Sequence, residues 1–543
     1  MNFIENESAQ KLRGGYYTPY DLAHFLARWV AEISPDRLLE PSCGDGVFFD
    51  AIGKAINNNK LSVFGFELEE EESEKAKLRA RDAGLEKSSI INRDFLSWAI
   101  ENFGVNDVQF DAVVGNPPFI RYQYLPEVFQ KYAEQVFKKL DLSFTKHTNA
   151  WVPFILASMH FLRPGGRLAM VVPSEIIHVS HAQSLRSYLG RECKRLVIID
   201  PEELWFSNTL QGAVIILAEK KQDKTDKEEG VGIYPVKGRE FIKLNPFDVF
   251  SYPQAINGKT IQGKWTRAFL DKQTRLLIDE LEEHKNVHRF RKIAQVDVGI
   301  VTGANKFFLV SDEVVEKHKL KKWAHPMFGR SEHCPGIIYD SHQHEENSSK
   351  GHPTNFLWFN ETTTRIDHSA KEYIKMGESQ SLHTRYKCRI RAPWYTVPSV
   401  YSTEIGMLKR SHNTPRLILN NIGAYTTDTA YRIRSNTVTA KQLVSCFINP
   451  LTALSAELEG RHYGGGVLEL VPSEIERLLI PLPENNKVDL ASLDNAFRNS
   501  STEEILTTHG GIILNGIGLS TENQECLLNA WNKLKNRRQR ISE

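Results

Sequence analysis

The chain has 543 residues, of which 41% are hydrophobic and 25% are charged, and its formal net charge is +1. This length is enough for about two to four globular domains. No apolar run is long enough to cross a bilayer, and residues 1–7 are too acidic and polar for a signal peptide. The six cysteines are scattered without a CxxC pair. This spacing argues against a zinc site or a disulfide framework and predicts a cytoplasmic protein without bound metal or membrane attachment.

Charge is divided unevenly along the chain. Residues 1–230 contain 27 Lys and Arg against 33 Asp and Glu, a balance of −6, whereas residues 231–543 contain 41 against 34, a balance of +7. The basic second part indicates a polyanionic partner, although a solvated surface also produces an excess of this size.

Strands alternate with helices over the first part of the chain. The predicted elements are a strand at 37–40, a helix at 47–56, strands at 62–67, 89–94 and 110–115, a helix at 151–162, a turn at 164–166, and strands at 167–172, 196–200 and 212–218. Such alternation predicts a parallel or mostly parallel sheet covered on both faces. Ligands then bind beyond the carboxyl ends of its strands.

A highly charged run without apolar residues occupies 220–230 and is typical of a solvated linker. We therefore expect a first domain at 1–220, a charged linker at 221–232 and a second domain at 233–543. The alternation of strands and helices is lost in the second domain, which holds 13 of the 18 histidines and favours a mixed α+β fold.

A polar turn, Asn116-Pro117-Pro118-Phe119, directly follows the predicted strand at 110–115. Because proline has no N–H, the Pro117 carbonyl has no ladder to join and is able to point at a ligand. The Asn116 amide oxygen and this carbonyl, aimed at one point, would accept both hydrogens of an –NH2 group. Taken alone, the turn is equally consistent with the simple end of a strand.

The first two predicted strands also end in residues suited to ligand binding. After the strand at 37–40, Gly44 and Gly46 let the backbone approach a ligand at the start of a helix, although a tight turn needs them as well. The third glycine of a dinucleotide fingerprint is absent. Glu67 ends the second strand, where a carboxylate is well placed to hold two ribose hydroxyls. It also begins a run of acids, which is typical of a solvated helix start.

Asp94 and Phe95 follow the third strand and offer an acceptor for an exocyclic amine and a ring for stacking. A polar-aromatic turn at 14–19 precedes the first helix. Together with the two glycines and Glu67, these elements describe a pocket for an adenosine-containing ligand. No Gly-Lys-Ser/Thr loop is present, which disfavours ATP. S-adenosylmethionine fits, because it carries a zwitterionic tail in place of phosphates.

The order of these elements resembles that of the γ-class DNA adenine-N6 methyltransferases of restriction–modification systems, the TaqI-like and Eco57I-like enzymes. The specific motifs extend to residue 218, and looser similarity continues at 301–306 and 461–470. The resemblance implies a Rossmann-like α/β S-adenosylmethionine-dependent methyltransferase sheet with a C-terminal α+β target recognition domain. The cofactor contacts that it implies are Thr18, Glu40 and Ser42 with the methionine part, Glu67 with the ribose hydroxyls, and Asp94 and Phe95 with the adenine, beside Gly44 and Gly46.

The same resemblance implies methyl transfer to N6 of an adenine in double-stranded DNA. Asn116 and Pro117 would accept the two hydrogens of the exocyclic amine, and Phe119 would stack on the base, which must leave the duplex to be reached. Phe206 is implied as a second pocket aromatic, with Trp205 as the other candidate and a core position as the alternative. Asparagine at the first position of the turn favours adenine, because the family's cytosine-N4 enzymes more often carry serine there.

Two basic-aromatic stretches of the second half, 386–395 and 409–413, are candidates for DNA contact. For any single residue in them, a surface or core position is the more frequent outcome. The basic tail at 533–540 is equally consistent with phosphate contact and with a frayed helix end.

Other functions share parts of this pattern. Methyltransferases of ribosomal RNA bases or of protein glutamine side chains also use Asn-Pro-Pro-aromatic turns, but usually lack so long a C-terminal region. A catalytically inactive DNA-binding relative is a further alternative. A fused nuclease is not expected, because the catalytic domain begins near residue 1. We expect a monomer on DNA that modifies without cleaving, beside a separately encoded restriction endonuclease.

Overall fold

The computed structural model describes residues 17–105, 107–202, 212–258, 263–360, 365–463, 465–485 and 487–540. The chain divides into two compact units, one ending at Leu270 and the other beginning at Asp271. No helix in the described ranges is long and apolar enough to cross a membrane.

The first unit alternates strands and helices, as the sequence predicts. Its strands are β1 (Arg37–Glu40), β2 (Ser62–Glu67), β3 (Ser88–Asn92), β4 (Phe110–Gly115), β5 (Leu162–Pro173), β6 (Cys193–Pro201), β7 (Ala213–Lys220) and β8 (Gly230–Val236). Its main helices are α1 (Tyr20–Ala31), α2 (Val47–Ala55), α3 (Glu70–Asp82), α4 (Phe95–Asn102), α5 (Glu127–Lys139), α6 (Trp151–Phe161), α7 (Gln183–Glu192) and α8 (Pro246–Ser251).

These strands form one sheet in the order β3-β2-β1-β4-β5-β7-β6-β8. The pairs from β3 to β5 are parallel, β7 runs antiparallel to both β5 and β6, and β8 is parallel to β6. The prediction of a mostly parallel α/β sheet is therefore confirmed. Strand order reverses between β1 and β4, and in sheets of this type the crevice at that point is where ligands bind.

Alternating side chains of the central strands fill two cores. Leu38, Val63 and Ala112 lie with α1, α2 and α3 in one hydrophobic core. On β2 and β4, Phe66 and Phe110 instead contact Trp98 of α4, in an aromatic cluster that also includes rings of α6. Helices therefore cover both faces of the sheet, which explains why its strands read as nearly continuous apolar runs.

Two boundaries differ from the sequence expectation. Strand β5 begins at Leu162, so the predicted turn at 164–166 lies inside this strand. The pairing of β4 with β5 shifts in register between Phe110 and Ala112 of β4, and Gly165 of β5 has a φ of +71°. The charged run near residue 225, expected to join two domains, connects β7 to β8 of the same sheet. The division of the chain accordingly follows Leu270 and not residue 220.

The second unit mixes short strands with helices. Its strands are β9 (Val287–Arg289), β10 (Ala294–Val298), β11 (Leu309–Val310), β12 (Ala324–Phe328), β13 (Ile338–Tyr339), β14 (Asn355–Leu357), β15 (Ile405–Leu408), β16 (Arg410–Ser411), β17 (Leu417–Asn420), β18 (Tyr425–Thr426), β19 (Ala430–Ser435), β20 (Arg461–Tyr463), β21 (Val467–Glu469) and β22 (Leu479–Pro481). In the described part of the chain they form sheets in the orders β10-β19-β15-β17-β13, β11-β14-β12-β18, β16-β21-β20 and β22-β9.

The helices of the second unit are α9 (Lys272–Glu282), α10 (Asn305–Phe308), α11 (Asp312–Lys317), α12 (Ser341–Ser349), α13 (His368–Ser379), α14 (Tyr386–Arg389), α15 (Ala440–Cys446), α16 (Pro450–Glu459), α17 (Pro472–Ile475), α18 (Leu490–Asn499), α19 (Thr502–Gly516) and α20 (Thr521–Gln539). The last of these helices contains most of the basic tail. Its Arg538 is buried and pairs with Glu457 of α16 at 2.7 Å, so the tail is a packed helix and Arg538 is not a phosphate contact.

Candidate functional site

The Asn116 turn lies at the reversal of strand order, beside the loop that follows β1. A Cβ atom on Gly115 would stand 3.3 Å from Cδ of Pro41, so the small residue lets the end of β4 approach this loop. The Ser42 hydroxyl donates a hydrogen bond of 3.1 Å to the Asn116 carbonyl. Two motifs that are distant in sequence therefore form one wall of a site.

The amide of Asn116 is held in a defined orientation. Its Nδ2 donates to Oγ1 of Thr18 at 3.1 Å, and Thr18 is buried just before α1. Because Nδ2 is the donor, Oδ1 is the acceptor that the amide presents on its other side. The Pro117 carbonyl accepts no hydrogen bond from the described residues. The turn thus contains both groups that the sequence predicts as acceptors for an –NH2 group, and that role stays a prediction.

The segment after the turn is anchored by two residues that the sequence analysis did not identify. Asn149 Oδ1 accepts from the Tyr122 N–H at 3.2 Å, and the Ala150 N–H donates to the Ile120 carbonyl at 2.9 Å. Asn149 Nδ2 in turn donates to Glu175 Oε2 at 3.0 Å, just beyond β5. The only sequence signals are a polar residue before the apolar helix α6 and an acid after a strand, and both patterns are common.

Of the two aromatic residues expected to line the pocket, Phe119 and Phe206, the structure describes only the first. Phe119 is partly buried and packs against the core of the first unit. Phe206 and the alternative Trp205 lie outside the described residues, so the second pocket aromatic stays a prediction.

Glu67 lies at the end of β2, with its carboxylate held by backbone amides. Oε2 accepts from the Gly44 N–H at 2.8 Å, and Oε1 accepts from the Glu69 N–H at 3.0 Å. Gly44 has a φ of +51°, and no atom lies within 4 Å of the position that a Cβ would take. Gly46 has a structural role, because a Cβ there would stand 2.8 Å from Ala76 Cα of α3. Burial raises the pKa of Glu67 and the backbone donors oppose that rise.

The carboxylate of Glu40, at the end of β1, is fully buried. Neither of its oxygens has a hydrogen-bond partner in the described part of the chain. Burial first, and then the carboxylates of Glu67 and Asp45, hold the pKa of Glu40 well above its usual range. Burial of an ionised carboxylate costs free energy unless a hydrogen-bond donor or a cation pairs with it. The site is therefore suited to a ligand with a positively charged group.

Asp94 and Phe95 are placed differently from each other. Asp94 is the N-cap of α4, where one carboxylate oxygen accepts from the Ser97 N–H at 2.8 Å, and burial raises its pKa. The Phe95 ring is 1% exposed and packs between Phe66 and Phe154. Since the ring belongs to the core, the structure does not present the stacking surface expected from the sequence at this position.

In the second unit, the stretch at 409–413 is engaged with the hairpin β20–β21. Strand β16 pairs with β21, and Glu469 accepts a hydrogen bond from Arg410 Nε at 2.7 Å and lies 3.4 Å from Lys409 Nζ. Arg538 and Gln539 bond the carbonyls of Asn413 and His412. The backbone of this stretch is therefore held by neighbouring elements, while Arg410, His412 and Asn413 remain exposed.

Two family models match the chain in succession. The model described as N-6 DNA Methylase matches residues 2–245, and the model described as Type II methyltransferase M.Eco57I, C-terminal domain, matches residues 262–514. The interval between the two matches lies close to the division between the two compact units.

Several known proteins are similar over most of this chain. M.AccI, a type II methyltransferase of Acinetobacter calcoaceticus, is 24% identical over 91% of this chain and 88% of that protein. M.XamI, a type II methyltransferase of Xanthomonas campestris pv. amaranthicola, is 22% identical over 87% and 86% respectively. The solved DrdV–DNA complex has a TM-score of 0.50 at 11% identity, over 92% of this chain and 58% of that chain, and supports the fold.

The two family matches follow each other along the chain. The region of the first match contains the Asn-Pro-Pro-Phe turn, which lies at the crevice where strand order reverses. The chain therefore belongs to the N-6 DNA methylase family, as an Eco57I-like member of its γ class.

Proposed function

We propose that this DNA methyltransferase transfers a methyl group from S-adenosylmethionine to N6 of an adenine that is flipped out of duplex DNA, and so protects host DNA in a restriction–modification system. The observation that carries this proposal is the Asn116 turn, whose amide is oriented by Thr18 at the point where strand order reverses. Two acceptors in one turn would suit an –NH2 group.

The described residues fit S-adenosylmethionine by their chemistry. Among the described residues, Glu40 has no hydrogen-bond partner and is fully buried two positions before Ser42, as expected for a carboxylate that receives the cationic methionine end. Glu67 is pre-oriented by two backbone amides and keeps lone pairs for the ribose hydroxyls. Asp94 keeps one carboxylate oxygen for the exocyclic amine of the cofactor's adenine. Nothing in this set corresponds to a phosphate clamp.

The turn would act by positioning the target amine. The exocyclic nitrogen of adenine is a poor nucleophile, because its lone pair is delocalised into the ring. By accepting its two N–H groups, Asn116 Oδ1 and the Pro117 carbonyl would draw the nitrogen towards tetrahedral geometry and direct its lone pair. When bound, S-adenosylmethionine supplies a methyl group activated by the positive sulfur. The barrier is lowered by orientation and by fixed dipoles, and Phe119 would stack on the extruded base.

A labelling experiment tests the proposal against its alternatives. The purified chain is incubated with S-adenosylmethionine carrying a tritiated methyl group and with duplex DNA, total RNA or a protein extract. We expect label in DNA, and in N6-methyladenine after nuclease digestion and chromatography. Label in RNA or in protein instead would replace the proposed substrate, and label in a cytosine derivative would replace the proposed base.

Replacement of Glu67 tests the assignment of the cofactor's ribose. Loss of charge-assisted hydrogen bonds, worth roughly 1.5–3 kcal/mol, should raise the dissociation constant for S-adenosylmethionine about 10- to 100-fold in Glu67→Ala. Isothermal titration measures this constant. Glu71→Ala is the matched control, because Glu71 lies in the first turn of the following helix with an 88% exposed side chain. An unaltered constant in Glu67→Ala would remove Glu67 from the cofactor site.

Glu40 makes cofactor binding depend on pH. Its raised pKa keeps the free carboxyl protonated to a higher pH than usual, whereas pairing with a cation requires the ionised form. Binding below this pKa must therefore release a proton, so affinity should increase as pH rises through the pKa of Glu40. Glu40→Gln should flatten this rise when titrations at a series of pH values are compared.

The cofactor's own amino group also titrates near neutral pH, but it does so equally with both proteins. The difference between wild type and Glu40→Gln therefore isolates the carboxyl group. Parallel pH profiles would show that Glu40 does not pair with the cofactor.

A further inference from the structure

Two segments of the second unit that the sequence analysis singled out separately lie side by side. The Arg391 guanidinium donates to the carbonyls of Val301 and Thr302, both at 2.7 Å. Gly303, with a φ of +80°, lies so close to the second segment that a Cβ on it would stand 2.7 Å from Lys387 Cβ. Residues 301–306 and 385–390 therefore form one continuous surface, which we call the paired-loop surface.

Cations and apolar side chains project from the paired-loop surface. Arg385, Lys387 and Arg389 are exposed, and none of the three forms an ion pair with any residue that the structure describes. Tyr386 is 63% exposed, although the cations of Lys387 and Arg389 lie 5.5 and 5.6 Å from its ring centroid. Ile390 is 62% exposed. Clustered cations with an unburied aromatic and an aliphatic side chain are typical of nucleic-acid contact.

No acid compensates this charge locally in the sequence. Between Glu378 and Glu404 there is no Asp or Glu, whereas four residues are Lys or Arg. Lys306 and Asn305 are also exposed on the neighbouring segment. In the other basic stretch, by contrast, Lys409 and Arg410 both pair with Glu469. Charge complementarity therefore points to a polyanion at the paired-loop surface.

Behind the exposed side chains, the second segment is firmly attached. Cys388 is fully buried, and the Trp394 ring lies 5.2 Å from that of Phe307 in the adjacent core. Trp394 Nε1 also donates to Glu378 at 3.0 Å. The backbone that carries the cations is therefore held by packing, which limits the conformational entropy lost when they bind a partner.

We propose that the paired-loop surface is the part of the second unit that holds duplex DNA, with Arg385, Lys387 and Arg389 on phosphates and Tyr386 and Ile390 against the groove. Arg391 is a positioning residue that keeps the two segments together. This inference rests on the proposed function and assigns its DNA contact to particular residues.

The salt dependence of DNA binding tests the surface without knowledge of the recognition sequence. Each phosphate contact contributes about 0.9 to the slope of log K against log salt concentration. Fluorescence anisotropy with a random-sequence duplex should therefore show a slope smaller by about 2–3 in the triple variant Arg385→Gln/Lys387→Gln/Arg389→Gln than in wild type. Lys387→Gln alone should reduce it by about 1, which keeps the test valid if the triple variant folds poorly.

A charge-matched control uses three exposed lysines elsewhere in the second unit, Lys272→Gln/Lys285→Gln/Lys321→Gln. Its slope should remain close to that of wild type. If the two triple variants change the slope equally, the paired-loop surface is not the contact, and the proposed function stands. If wild type binds no duplex at any salt concentration, the proposed function itself fails.

Arg391→Gln separates positioning from direct contact. Because its guanidinium bonds two protein carbonyls, its loss should weaken DNA binding while leaving the salt slope unchanged. A reduced slope would instead make Arg391 a phosphate contact. Unchanged affinity would show that Arg391 does not position the paired-loop surface for DNA.

Discussion

Replacement of Asn116 by alanine is expected to reduce methyl transfer by roughly 10²–10³-fold, the range observed when one preorganised hydrogen-bonding group is removed from a reacting centre. The amide is oriented by Thr18 in the same turn as the Pro117 carbonyl, so alanine deletes one of the two proposed acceptors for the target amine. Of the residues assigned to the cofactor, Thr18 bonds this amide, whereas Glu67 and Asp94 are held by backbone amides of other segments. The dissociation constant for S-adenosylmethionine should therefore stay nearly unchanged.

The measurement is single-turnover methyl transfer to DNA, combined with a cofactor titration of the same preparation. Asn102→Ala is the control, because Asn102 lies at the end of α4 and donates to the Trp98 carbonyl of its own helix. Strong residual transfer in Asn116→Ala would remove the amide from the chemistry. A large loss of cofactor binding would instead assign Asn116 to the cofactor pocket.

Replacement of Arg538 by methionine is expected to destabilise the second unit by about 3–5 kcal/mol, the usual cost of leaving one member of a buried ion pair alone. Arg538 and Glu457 are both fully buried in their side chains, with hydrogen bonds of 2.7 and 2.9 Å between them. Arg538 also bonds the Gly466 carbonyl of the hairpin. One side chain thus joins α20, α16 and the β20–β21 hairpin.

The loss should depend on pH. Burial already raises the pKa of Glu457 despite the attraction of Arg538, and removal of the arginine raises it further. In the variant, the folded state then keeps a proton that the unfolded chain releases above about pH 4.3. Because the pKa is already raised in the wild type, the deficit is smallest in acid and grows as pH rises from the wild-type pKa of Glu457 towards the higher pKa of the variant.

Urea unfolding followed by tryptophan fluorescence measures this effect, because Trp531 is buried in the same helix. Arg330→Met is the control, since Arg330 is exposed in its pair with Glu332. The double variant Glu457→Leu/Arg538→Met should regain most of the lost stability, because it leaves no buried charge. Equal unfolding of Arg538→Met and wild type would contradict the role given to this pair.

The sheet of the first unit is readable from sequence where local pattern determines structure. Strands β1, β2 and β4 begin and end as predicted, because short apolar runs are bounded by polar and turn residues there. The start of β5 is not readable, because its first residues join the sheet only through a register shift against β4. The place of β8 depends equally on distant pairing with β6, which no local charge pattern reveals.

The candidate site is likewise readable from sequence where local pattern determines it and not where it depends on distant contacts. The turn at Asn116 and the carboxylate of Glu67 are visible in sequence, since each lies where a strand ends. The burial of the Phe95 ring is not visible, because it depends on helices far along the chain. The Asn149–Glu175 contact is missed for the same reason. Likewise, only the fold brings 301–306 against 385–391.

The most direct test of the central claim is to express the chain in a host without adenine methylation and to map N6-methyladenine in its DNA by single-molecule sequencing. We expect modification at one recurring sequence motif with the wild-type chain and none with Asn116→Ala. Unmodified DNA from cells that contain folded, cofactor-binding wild-type protein would contradict the assignment of adenine in DNA as the substrate.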